Sequence, residues 1–154
     1  MVVSYSDVVI RAVLCHPDAS PPRQMTRYSA GYDVSVIEGK TLYPGDLAKL
    51  DTGLMFIMLP PAFVQLQGRS SVFAGGLLVH NGLIDADFRE TVKLLVRNVG
   101  RFPVHVRPGD RLAQFRLGRD QVLQVERLED GAYIAEDLSQ PPTREGGIGS
   151  TGRQ

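Results

Sequence analysis

The sequence predicts an all-β barrel or sandwich of short strands, followed by a flexible C-terminal arm. Three observations carry this. Apolar segments recur at short spacing over residues 8–14, 32–37, 47–59, 63–67, 77–80, 92–98, 104–107, 111–117 and 122–125, and none is long or helically periodic enough for a helix. Their separators are turn chemistry: Glu38-Gly39, Pro44-Gly45-Asp46, Pro60-Pro61, Asn81-Gly82, Asn98-Val99-Gly100 and Pro108-Gly109-Asp110 supply positive φ or a φ fixed by proline. After Asp137 the chain turns to Gly, Ser, Pro and Thr with almost nothing to bury, the composition of a flexible arm. The chain thus divides into a β domain over residues 1–137 and an arm over residues 138–154, with no internal repeat.

Taken in order, the segments differ in what they bury. Phe63-Val64-Gln65-Leu66-Gln67 alternates apolar with polar, as a strand with one face in the core does, and Leu112, Phe115 and Leu117 show a looser version. Gly68 ends the first of these, and Arg69-Ser70-Ser71 leads into a short helical turn. Asn81-Gly82 is the strongest short hairpin signal, so a tight turn is expected there, with residues 83–88 on the strand behind it. Asp85 and Asp87 then share one face. Val92-Lys93-Leu94-Leu95-Val96 is nearly continuous in apolar residues, which predicts burial on both faces, at the centre of a sandwich or against another subunit.

Composition narrows the function. With 17 Lys and Arg against 17 Asp and Glu, the 154-residue chain has no net charge and no broad positive field for a nucleic acid. An anionic ligand must be held by local groups. One cysteine, Cys15, and three histidines at positions 16, 80 and 105 form no spaced set of metal ligands, and Cys15 and His16 face opposite ways on a strand. The longest apolar stretch, residues 53–64, is interrupted by Pro60-Pro61 and is shorter than the roughly 18 residues of a membrane span. No basic, apolar leader opens the chain, so a soluble intracellular protein without membrane or nucleic-acid partners is expected.

Three segments carry chemistry. Asp85 and Asp87 offer a general base, a hydroxyl acceptor or a metal ligand; a solvated acidic strand end paired with Arg89 is the alternative. Gly68-Arg69-Ser70-Ser71 brings a guanidinium fork, two hydroxyls and backbone N–H groups, the parts of a phosphate cradle, although Ser also simply caps turns. The tail Gly146-Gly147-Ile148-Gly149-Ser150-Thr151-Gly152 offers many unobstructed amides beside Arg144, suited to folding over an anion as a lid; it lacks the Lys and the following helix of a Walker P-loop. Ser70 lies in no nucleophile elbow.

In order, these pieces resemble the five motifs of the trimeric dUTP diphosphatase (dUTPase) family: Ala30-Gly31-Tyr32-Asp33-Val34, Gly68-Arg69-Ser70-Ser71, Gly82-Leu83-Ile84-Asp85-Ala86-Asp87-Phe88-Arg89, Gly109-Asp110-Arg111-Leu112-Ala113-Gln114 and the glycine-rich tail. The resemblance implies a jelly-roll-like β-barrel assembled as a homotrimer, with sites at subunit interfaces and the arm closing over a neighbour's site. It implies hydrolysis of dUTP to dUMP and pyrophosphate, limiting uracil incorporation into DNA, with Mg²⁺ held through the triphosphate and no direct protein ligand. Asp85 would activate the attacking water, and Asn81, Gly82, Leu83 and Ile84 would read the uracil edge through their backbone. Phe88, where the family usually has Tyr, would pack on the deoxyribose. Arg69, Ser70, Ser71 and Gln114 would contact phosphates, with Asp33 supporting Arg69. Arg144, Gly149, Ser150 and Thr151 would meet the terminal phosphate.

The chain departs from the family pattern at several positions. Ile148 replaces a base-stacking aromatic, an interaction worth about 1–3 kcal/mol per base in single-stranded nucleic-acid binding. Arg144 stands one residue nearer the glycine pair than the family Arg, and Ser71 replaces a frequent Gly. A dCTP deaminase of the same architecture, a dUTPase-like regulatory module without turnover and, remotely, a capsid-type jelly roll are the competing readings.

Overall fold

The computed structural model describes residues 10–119, which fold into eleven strands and one short helix. The strands are β1 (Arg11–Leu14), β2 (Tyr32–Ser35), β3 (Lys40–Leu42), β4 (Leu47–Asp51), β5 (Leu54–Ile57), β6 (Ala62–Gly68), β7 (Leu77–Val79), β8 (Gly82–Ile84), β9 (Lys93–Asn98), β10 (Val104–Val106) and β11 (Arg111–Arg119); α1 (Ser70–Ala74) joins β6 to β7. The expected strand at 122–125, the boundary after residue 137 and the arm lie outside the described residues. No helix among the described residues is long and apolar enough to cross a membrane.

All pairings are antiparallel. One sheet runs β2-β11-β6-β8, a second runs β4-β9-β7, and two ribbons pair β1 with β5 and β10 with β3. The sheets share one apolar core: Val34 from β2, Leu50 from β4, Val64 and Leu66 from β6, Leu94 and Val96 from β9, and Phe115 from β11 are all buried in it. Phe56 and Phe115 meet edge to face, centroids 4.8 Å apart, the geometry in which aromatic quadrupoles attract. On β6, Val64 and Leu66 point inward and Gln65 and Gln67 outward, so the alternation read from sequence is the strand's own.

The turns show how local chemistry fixes local geometry. Tyr43-Pro44-Gly45-Asp46 closes with Asp46 N–H donating to the Tyr43 carbonyl at 2.9 Å, and Arg107-Pro108-Gly109-Asp110 closes the same way at 3.0 Å. Their glycines adopt φ of 88° and 91°, the left-handed position of a type II turn behind a proline. In each, the Asp carboxylate accepts the N–H of the first turn residue at 2.9 Å. Asn98, almost fully buried, donates to the Leu42 and Phe102 carbonyls and accepts the Gly100 N–H, satisfying its amide inside the core.

Several expectations are corrected. The apolar run at 47–59 is two strands, because Gly53 takes φ of 66° and Thr52 turns its hydroxyl into the core to donate to the Val92 carbonyl. β3 falls between the expected segments; three residues with one buried leucine carry no readable period. β9 alternates strictly, with Leu94, Val96 and Asn98 inward and Lys93, Leu95 and Arg97 outward, so among the described residues only one face is covered and Leu95 is 39% exposed; of the two expected ways to bury the second face, the one within a sandwich is not seen there.

Asn81-Gly82 makes no hairpin. β7 pairs with β9 and β8 with β6, so the chain changes sheet between them, and Gly82 has no positive φ. Burial decides this: pairing Leu66 with Gly82 and Val64 with Ile84 buries Ile84, which a β7–β8 hairpin would not need. The strand then stops at Ile84, and Asp85 opens a turn in which Phe88 N–H donates to its carbonyl at 3.1 Å. Asp85 and Asp87 therefore sit on a turn and not on one strand face.

Candidate active site

The predicted site residues within the described region form two groups joined by β6. The first is built around Asp33 on β2, whose carboxylate is nearly buried. Its Oδ2 lies 3.4 Å from Arg69 Nε and 3.4 Å from Arg111 Nη1. Arg69 is held further by its Nη1 donating to the Arg111 carbonyl at 2.9 Å, and by its backbone N–H donating to the Leu112 carbonyl at 3.3 Å. Gln114 stands opposite Asp33 across β2–β11 and opposite Gln67 across β11–β6. A Cβ at Gly31 would lie 2.9 Å from Gln114 Oε1, so the missing side chain there makes room for the glutamine. Two guanidiniums against one carboxylate leave a local positive charge, open to solvent because the arginine side chains are 29% and 41% exposed. Ser70 and Ser71, both exposed, open α1 directly after Arg69.

Arg111 is the residue sequence reasoning did not assign. Its signal was available: it immediately follows the turn that starts β11, the strand that brings Gln114 beside Asp33. Removing the carboxylate would leave two guanidiniums facing each other without a counter-charge. Asp33→Ala is therefore expected to cost about 1–3 kcal/mol in denaturant unfolding, an unpaired-partner penalty moderated by solvent at both arginines.

The second group lines a cavity of about 200 Å³ between β8 and β9. Leu66, Ile84, Val92 and Leu95 give it an apolar floor; Gly82, Leu83, Phe88, His80, Lys93 and Asp85 complete the wall. Arg89 Nη1 donates to the carbonyls of Ala86 and Phe88, gripping the turn that carries Asp85. The alternative in which Arg89 pairs with the acidic residues is thus replaced by a backbone clamp. Asn81 does not line the cavity; its Oδ1 accepts the Gly68 N–H at 3.3 Å, tying the sheet crossover to the residue before Arg69.

Neither Arg69, Ser70 nor Gln114 lines that cavity, so the described residues do not gather the Asp85 carboxylate and the Arg69 guanidinium into one pocket. A larger cavity of about 650 Å³, lined by Ile10, Phe56, Leu59, Phe115, Leu117 and others, contains none of the predicted site residues. Among the described residues no three His, Cys, Asp or Glu side chains converge to cage a metal. Arg144, Gly149, Ser150 and Thr151 lie outside the described residues.

Known proteins resemble this chain in sequence and in fold. The dUTPase family model matches residues 18–152. The deoxyuridine 5'-triphosphate nucleotidohydrolase of Wolinella succinogenes is 31% identical over 150 residues, covering 94% of this chain and 94% of that protein. Its counterpart from Thermoanaerobacter sp. is 36% identical over 141 residues, covering 88% and 90%. Among solved structures, a mutant of Staphylococcus bacteriophage 80alpha dUTPase with dUpNHpp superposes with a TM-score of 0.79 at 19% identity, over 94% of this chain and 98% of that one. A mutant dUTPase from phage phi11 of S. aureus, described as coordinating a structural Mg(II) ion, gives 0.74 at 18% identity, over 81% and 99%. The structural likeness establishes an all-β, jelly-roll-like fold. With a family match across most of the sequence and relatives above 30% identity along nearly their whole length, the chain belongs to the dUTPase family, the dUTP diphosphatases.

Proposed function

We propose that the chain, as a homotrimer, hydrolyses the Mg²⁺ complex of dUTP to dUMP and pyrophosphate by in-line attack of a water held by Asp85. The observation that carries the proposal is an exposed carboxylate at the rim of a small apolar cavity, on a turn clamped by Arg89. A flat pyrimidine and a deoxyribose need such a cavity, and a phosphorus beside it needs such a base.

Asp85 accepts a proton as the water oxygen bonds to the α-phosphorus; the bond from that phosphorus to the bridging oxygen breaks, and pyrophosphate leaves with the electron pair. Phe88 packs on the deoxyribose, and backbone groups of Gly82, Leu83 and Ile84 read the uracil edge, with Asn81 holding the crossover that leads into them. Arg69, Ser70, Ser71 and Gln114 bind phosphate oxygens, with Asp33 orienting Arg69. Arg144, Gly149, Ser150 and Thr151 of the arm close over the terminal phosphate.

The residues suit an ion that arrives with its ligand. Among the described residues Asp85 is the one carboxylate that lines its cavity, and Mg²⁺ prefers phosphate and water oxygens to an all-protein cage. Carried by the triphosphate, the ion would offset negative charge on the leaving pyrophosphate. The trimer is supported by the separation of the two residue groups, which a neighbouring subunit can complete, and by the exposure of Leu83 and Leu95 beside the cavity.

The test is incubation with Mg²⁺ and either dUTP or dCTP, following pyrophosphate and base identity. Pyrophosphate from dUTP alone supports the proposal. Ammonia from dCTP assigns the chain to deamination instead, and tight dUTP binding without turnover assigns it to regulation.

A further inference from the structure

We infer that His80 is a nucleoside-binding residue, its imidazole adding one hydrogen bond to the pyrimidine edge in the cavity beside Asp85; this rests on the reading of that cavity as the nucleoside pocket. His80 and Asn81 are the two residues on which the chain passes from one sheet to the other, between the end of β7 and the start of β8. The backbone there is fixed on both sides. His80 N–H donates to the Leu95 carbonyl at 2.9 Å, extending the β7–β9 ladder by one residue, and Asn81 Oδ1 accepts the Gly68 N–H. The Asn81 side chain is thereby committed to β6, while His80, an exposed residue, is among those lining the cavity.

Among the described residues three with polar side chains line the cavity, and two have other work. Asp85 is the base of the reaction. Lys93 Nζ donates to Thr91 Oγ1 at 3.2 Å and lies 3.8 Å from Asp51 Oδ2, so its charge is turned to its own strand and to the end of β4. The His80 ring makes no hydrogen bond among the described residues. A neutral imidazole carries one donor and one acceptor. Uracil presents two carbonyls and one N–H, so a single ring nitrogen can pair with either kind of group. With Leu66, Ile84 and Val92 also lining the cavity, the apolar residues there offer the base no side-chain hydrogen bond, which leaves that role to the imidazole.

The inference is tested by steady-state kinetics on the full chain with Mg²⁺ and dUTP, with tripolyphosphate, which has no base, as a competing inhibitor. His80→Ala is expected to raise KM about 3- to 10-fold with kcat within about two-fold of wild type, the pattern of a lost uniform binding contact. His80→Gln, which keeps a donor and an acceptor, recovers part of the loss. Inhibition by tripolyphosphate stays unchanged in both variants. An unchanged KM in His80→Ala overturns the inference, and so does an equal weakening of tripolyphosphate inhibition, which marks a general disturbance of the fold or field. If wild type fails to turn over dUTP, the pocket reading fails and this inference with it; if wild type is active and His80→Ala matches it, only the inference fails.

Discussion

Asp85→Asn lowers kcat on dUTP by about 10²- to 10⁴-fold, the range of a positioned general base, while KM changes by less than about three-fold. The substitution is close to isosteric and keeps a polar oxygen to hold the water, but it cannot accept the proton. The surrounding turn does not depend on the carboxylate. It is closed by the Phe88 N–H on the Asp85 backbone carbonyl and by Arg89 on the carbonyls of Ala86 and Phe88. A folded Asn variant with intact binding is therefore expected, and thermal unfolding with dUTP-analogue titration checks both. A fall in kcat of less than about ten-fold removes Asp85 from the role of base.

Deleting residues 143–154 lowers kcat/KM by about 10²-fold or more, the scale seen when donors to transition-state charge are removed. The segment supplies Gly149, Ser150 and Thr151 and, in Arg144, a cation for the terminal phosphate. The thermal unfolding midpoint is expected to stay with that of the full chain, because among the described residues the buried apolar cluster already runs from Val34 to Phe115 and closes without the deleted segment. Full activity after truncation would exclude the arm from catalysis. A lowered midpoint would show that the arm also contributes to the fold.

What was legible in the sequence was local. Pro44-Gly45-Asp46 and Pro108-Gly109-Asp110 determine their own geometry through a proline, a left-handed glycine and a carboxylate within four residues, and both turns form. The Gln65 and Gln67 alternation likewise needs no distant partner to be read. The Asn81-Gly82 segment misled because its pairing is set far away: β8 is drawn to β6 by burial of Ile84, and β7 to β9. Local turn propensity is a weak term beside such core contacts. The apolar run 92–96 is read only in part for a related reason. Composition reports what a strand is able to bury, and among the described residues nothing covers the Leu95 face of β9, the face that burial against another subunit would use.

At the site, the motif residues were readable as types, whereas their mutual geometry was not. That Asp33 holds Arg111 as well as Arg69 follows from the β2–β11 register, which brings the start of β11 back over β2 with a bulge between Arg111 and Ala113. His80 was invisible as a candidate because a lone histidine carries no spacing signal; only the change of sheet places it in the wall of the Asp85 cavity. Arg89 looked like a partner for acidic neighbours, and its long side chain instead finds carbonyls that the tight turn leaves exposed.

The central claim is that a water held by Asp85 attacks the α-phosphorus of dUTP. One turnover experiment in heavy-oxygen water tests it most directly, with the products separated and weighed by mass spectrometry. The account predicts one heavy oxygen in dUMP and none in pyrophosphate, with both products lost together in Asp85→Asn. Label in pyrophosphate with unlabelled dUMP would place the attack on the β-phosphorus and contradict it.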